Sequence, residues 1–181
     1  MDSKLLILLC LMISCNSDYT PKPRGYLKLE FPEKEYKEYN SNCSYTFLYP
    51  NYSYIEKLEN TCFVNICFPD FDGVLHITYL SLKDNLSEHI EQSRYLAYKH
   101  NIKADMISEE VFVNEDEDVF VMLYDYDGLT ATASQFYLTD SVNHFFRGAL
   151  YFNTEINDSI LPINNFLKED LRIFIESFSW R

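Results

Sequence analysis

The segment TDSVNHFFRG (139–148) brings Asp140, Ser141, His144 and Arg147 close together. A hydroxyl, an imidazole and a carboxylate are the parts of a hydrolytic triad. That chemistry needs a positioned nucleophile, a base, an orienting group and an oxyanion hole. No G-x-S-x-G elbow surrounds Ser141, which falls in a hairpin turn between two strand-like runs. With a strand starting at Val142, His144 and Arg147 alternate to opposite faces. The segment is therefore read as non-catalytic, with His144 and Arg147 as candidate interaction residues. A lipid-anchored small-ligand or glycan-binding module is the alternative. It requires all four side chains to converge in one deep pocket.

Other chemistry is sparse. His76, His89, His100 and His144 are the four histidines, and none pairs with another at metal-ligand spacing. The acidic runs NEDED (114–118) and DYDG (125–128) place carboxylates at alternate positions. They lack the twelve-residue loop with a terminal glutamate that calcium binding uses, so solvated hairpin turns are expected there. Only four glycines occur, and no phosphate-cradling loop. No metal, no cofactor and no enzymatic activity are expected. Cys43, Cys62 and Cys67 can form one disulfide in an exported domain. Cys43–Cys62 is the preferred pair and Cys43–Cys67 the second. Cys62 and Cys67, an odd five apart, face opposite sides of one strand, and the leftover thiol is expected to be buried.

These residues sit on a strand-rich pattern. CSYTFLYP (43–50) and CFVNICFP (62–69) read as strands stopped by proline, and VLHITYLSL (74–82) alternates with period two. Asp72-Gly73 marks a turn between the second and third strands. DNLSEHIEQSRYLAYKHNI (84–102) switches to helical spacing, with Asn85 as N-cap and Glu88 three residues later. A meander follows: DMISEEVFVN, the turn EDED, VFVMLYDY ending at Asp127-Gly128, TATASQFYL, and VNHFFRGALYFN. A last helix begins after Pro162. Leu167, Leu171, Phe174, Ile175 and Phe178 form its apolar stripe, and Glu169 and Asp170 are read as first-turn acids. The pattern predicts an α+β fold: a single antiparallel sheet of about seven strands with two helices, packed as a layered sandwich. Its element order is similar to Mog1/PsbP-like folds, a similarity of fold pattern that licenses no function.

The N-terminus sets the compartment. The apolar run Leu5 to Ile13 is far shorter than the roughly 20 residues of a membrane span and fits the core of an export signal. LMISC resembles a bacterial lipobox ending at Cys15, with Met12 where leucine is usual. Residues 1–14 are thus expected to be a cleaved signal peptide. Cys15 carries the lipid, and its acyl chains anchor the protein. Residues 15–40 form a tether with Pro21 and Pro23 favouring extended chain. Within it, Arg24, Tyr26 and Phe31 are candidate docking contacts. Residues 41–181 make one globular domain. The net charge of −13 argues against nucleic acid and against an electrostatic grip on anionic lipid. Fifteen tyrosines suit half-buried sheet faces and wet interfaces.

Longer strings then carry a family resemblance. YTPKPRGY, YPNYSYI, CFVNICFPDFDGVLHITY, LAYKHNIKAD, ASQFYLTDSVNHFFRGALYF and IESFSW together resemble the GldD family of gliding motility-associated lipoproteins of the Bacteroidota. The resemblance covers essentially the whole chain. It implies an envelope lipoprotein required for gliding, linked to type IX secretion, with other envelope proteins as partners and no established catalysis. It also implies Cys15 as the lipid-bearing residue and a location facing the periplasm, on either the inner or the outer membrane. Cys43 and Cys62 match family cysteines, which supports that pairing, whereas Cys67 has no placed counterpart.

Overall fold

The computed structural model describes residues 29–58, 61–99, 104–128, 130, 132–154, 156 and 159–181. The chain divides into two units, Met1–Glu30 and Phe31–Arg181, and every element below belongs to the second. In chain order these are β1 (Tyr36–Glu38), β2 (Tyr45–Thr46), β3 (Leu48–Pro50), β4 (Tyr54–Lys57), β5 (Val64–Phe68), β6 (Gly73–Ser81), α1 (Leu86–Tyr98), β7 (Ala104–Asn114), β8 (Val119–Gly128), β9 (Thr132–Thr139), β10 (His144–Phe152), α2 (Leu161–Glu176) and β11 (Ser179–Trp180).

Seven strands form one antiparallel sheet in the order β4-β5-β6-β10-β9-β8-β7. Hairpin turns alone link β7 to β8 and β9 to β10, so sequence neighbours become spatial neighbours. The one long excursion, through α1 and out to β7, puts β10 at the centre beside β6. One helix packs on each face, which is the expected α+β sandwich.

The α2 face is the larger core. Val64, Ile66, Leu75, Ile77, Val121, Leu123, Phe136, Leu138, Phe146 and Leu150 point to it from the sheet, and Leu167, Leu171, Phe174 and Ile175 meet them from α2. The helical stripe read from the sequence is therefore buried as a unit, and each such side chain contributes about 1.5–3 kcal/mol by leaving water. Gly148 is required here. A Cβ on it would stand 2.1 Å from Phe136 Cζ, so the ring occupies the space a side chain would fill.

Several expectations are corrected. The run 43–50 does not join the main sheet. Its two short strands pair elsewhere, β2 with β11 and β3 with β1, while Tyr54–Lys57 takes the edge of the large sheet. The cause is aromatic packing: Tyr45 and Phe47 turn inward onto Phe146, at ring distances of 5.0 and 6.5 Å, and Phe47 lies 4.4 Å from Phe174. The folded body begins at Phe31, not at residue 41, because Phe31 stacks on Phe166 at 4.4 Å and Tyr39 is buried on Phe47. Helix α2 starts at Leu161, so Glu169 and Asp170 lie mid-helix and not in its first turn. Asn85 does occupy the N-cap of α1, yet its side chain makes no cap bond and instead accepts the Lys83 N–H at 2.8 Å. At the β5–β6 turn it is Asp72 that takes the left-handed backbone, with φ 53°, after a short 3-10 turn at Pro69–Phe71.

Cys43 and Cys62 form a disulfide, and Cys67 is a buried free thiol on β5. The bridge ties the segment before β2 to the start of β5.

Candidate interaction surface

The β9–β10 turn separates the four residues that suggested chemistry. Asp140 Oδ1 accepts the backbone N–H groups of Val142, Asn143 and His144 at 3.0, 2.8 and 2.8 Å. Burial pushes its carboxyl up, but those donors outweigh it and hold the group below the usual carboxylate range. Asp140 is thereby committed to shaping the turn, and Ser141 occupies its left-handed corner at φ 66°. His144 then points to the α2 face. Its Nδ1 lies 2.7 Å from the Tyr79 hydroxyl and its ring stacks on Trp180 at 5.0 Å. Arg147, three residues on, emerges on the α1 face and donates from Nη2 to Gln135 Oε1 at 2.7 Å. The four groups do not converge, so neither a triad nor a pocket built from all of them exists. Cys15, Arg24, Tyr26 and His100 lie outside the described residues.

A second cluster went unseen in the sequence. Asp170 on α2 is 3% exposed. It accepts from Lys34 Nζ at 2.9 Å, from Tyr36 OH at 2.7 Å, and from Tyr52 OH. Lys34 also donates to the Phe166 carbonyl at 2.8 Å and sits 4.1 Å over the Phe166 ring. Burial first, then the Asp170 carboxylate, raises the Tyr36 and Tyr52 phenols far above their ordinary range. These contacts clamp the first residues of the body onto α2. Their sequence separations exceed a hundred residues, so no local motif could have revealed them.

The whole chain, and not one site, decides its kinship. A family model described as gliding motility lipoprotein GldD matches residues 16–180.

The chain belongs to this family.

No match was found among curated proteins. Family membership makes the protein a gliding motility lipoprotein, held at a membrane of the cell envelope. Among the described residues, no helix is long and apolar enough to cross a membrane.

In this GldD-family lipoprotein the β7 side of the sheet carries an uncovered apolar strip. Among the described residues β7 pairs with β8 alone, so along its eleven residues one row of backbone N–H and C=O groups has no described strand neighbour. Register puts Val111 opposite Met122 and Val113 opposite Phe120, all on the face that carries α1. The helix stops short of them: Val111, Val113 and Phe120 are 67%, 50% and 43% exposed. Carboxylates surround this strip. Glu109 precedes it on the same face, and Glu115, Asp116, Glu117 and Asp118 form the adjoining turn, all exposed. Natural edge strands are usually short, bulged or guarded by lysine. This one is long and has no lysine within it, and its register shift is confined to its first residues, between Ala104 and Met106. The alternation in SEEVFVN signalled a strand, but a single sequence does not say which face a helix will cover.

Proposed function

We propose that the protein is a non-catalytic structural or assembly factor of the gliding apparatus and its associated type IX secretion machinery, anchored through acylated Cys15 with its folded body facing the periplasm. One observation carries this reading: the exposed β7 edge with its apolar strip and acidic border. An uncovered apolar face beside a free strand edge is the form used for strand addition, in which backbone bonds supply affinity and alternate side chains supply register. The occupant that fits is an extended segment of another envelope protein, apolar at alternate positions and flanked by lysine or arginine. Positive flanks complement Glu109 and the 115–118 turn and speed encounter. The family match opening at residue 16, directly after Cys15, supports the anchored arrangement.

The test is crosslinking in gliding cells through a photoreactive residue at position 111, with Cys15→Ala as control. The expected result is one dominant adduct with an envelope protein, joined at a basic, strand-forming segment and lost in Cys15→Ala. A deletion strain that glides and secretes normally would contradict the proposal.

A further inference from the structure

Arg147 occupies an unusual place. It lies on β10, the central strand of seven, and it is half-buried beneath α1. Its register neighbours are Thr78 on β6 and Tyr137 on β9. Among the described residues no carboxylate stands within ion-pair distance, although the chain holds 28 acidic residues against 15 basic ones. The only hydrogen bond its side chain donates among the described residues goes to Gln135. A guanidinium carries five N–H donors, so most are left without a protein acceptor. Gln135 is 2% exposed, and its Nε2 has no partner either. Withdrawing a cation from water without a counter-charge is unfavourable even in part. Burial lowers the affinity of Arg147 for its proton, and the nearby Tyr151 and Tyr126 phenols offset that only in part.

The guanidinium borders a cavity of about 230 Å³ between α1 and the sheet. Phe63, Leu80, Leu96 and Phe145 supply apolar walls, and Thr78, His89, Gln92 and Ser93 add polar atoms. That volume is below the about 300–1,000 Å³ typical of drug-sized sites, so the occupant is small. One cation matches a single negative charge, and the planar fork of arginine matches a carboxylate. A phosphate dianion would need a second cation, and among the described lining residues none is present except the imidazole of His89.

We infer that this cavity binds a small apolar monocarboxylate, with its carboxylate on Arg147 and its hydrocarbon part between Phe63, Leu80, Leu96 and Phe145. The site shares Phe145 and Arg147 with the segment that first suggested chemistry, and it lies apart from the β7 edge.

The test uses the intact lipoprotein in nanodiscs, with benzoate as probe, benzamide as its neutral isostere, inorganic phosphate as the competing anion and empty nanodiscs as blank. Calorimetry should show saturable benzoate binding, tighter than benzamide by roughly tenfold or more, as a charge-assisted contact provides. The Nε–H resonance of Arg147 should move with benzoate and stay still with benzamide. Arg147→Met should weaken benzoate by a similar factor. Leu96→Trp, which fills the cavity from α1 without touching the cation, should block binding while the urea midpoint is kept. Absent saturable binding of benzoate, equal binding of benzamide, phosphate binding tighter than benzoate, or unchanged affinity in Leu96→Trp would each overturn the inference.

Discussion

The two faces of the sheet are built to different rules. Toward α2 the strands present a continuous layer of Phe, Leu, Ile and Val, closed by the α2 stripe and by Tyr45, Phe47 and Phe178. Toward α1 the buried set is small and rich in tyrosine: Ala97, Tyr124, Tyr126, Tyr137 and Phe145. That face also holds Arg147 and Gln135 and leaves Val111, Val113 and Phe120 open to solvent. Close packing on one side fixes the fold. The α2 side also buries Asp170 and borders a cavity of about 210 Å³ at Val121, Leu123 and Ile175, so what sets the α1 side apart is its uncovered strip and the Arg147 cation without a carboxylate among the described residues.

Substitutions should separate the faces, and the largest effect belongs to the α2 side. Phe146→Ala removes a ring packed against Tyr45, Phe47, Phe136, Phe174 and Phe178. It should cost about 3–5 kcal/mol in urea unfolding, whereas Val111→Ala should stay within about 0.5 kcal/mol. Replacing both Cys43 and Cys62 by alanine opens a bridge of sequence separation 19 and should cost about 3 kcal/mol. Loss below 1 kcal/mol would mean that the aromatic packing of β2 holds this segment by itself. Asp170→Asn keeps the shape but removes the charge that Lys34, Tyr36 and Tyr52 address. A loss of about 2 kcal/mol is expected, together with faster proteolysis near Glu33–Lys37.

Alkaline titration probes both faces at once. Burial, the leading cause in each, raises the phenols of Tyr45 on the α2 side and Tyr124 and Tyr126 on the α1 side, with Tyr124 pushed up to about 12. A raised folded-state value means that these groups stabilise fully below the unfolded tyrosine value near pH 10 and lose that contribution as pH rises through the folded values. The urea midpoint should fall steeply above about pH 10, and Tyr124→Phe should soften that fall by a small amount. An unchanged midpoint up to pH 12 would contradict burial of these rings.

The sequence revealed the α2 side far better than the α1 side, for physical reasons. The stripe Leu167, Leu171, Phe174, Ile175 and Phe178 is local and strongly apolar, so helical periodicity exposes it. Six of the seven sheet strands were legible in period-two alternation and in turns such as Asp127-Gly128, where Gly128 takes φ 108°, while the seventh, Tyr54–Lys57, was missed and the run 43–50 counted in its place. Opposite faces for His144 and Arg147 followed from strand geometry alone. The aromatic run 43–50 misled because Tyr45 and Phe47 look like sheet residues but serve as a plug over the core. Asp170 read as a first-turn acid because its partners, Lys34, Tyr36 and Tyr52, lie over a hundred residues away. Gln135 beside Arg147 depends on strand register, which composition does not encode.

The most direct test of the central claim, that the uncovered strip beside β7 is the working surface, is colony spreading in a strain whose only copy carries Val111→Asp and Val113→Asp. Both side chains are solvent-facing, so the variant should accumulate, stay membrane-anchored and unfold within about 0.5 kcal/mol of wild type. Added negative charge should repel a basic partner strand, and the account predicts that such cells do not glide. Normal spreading by cells holding wild-type levels of the double variant would contradict it.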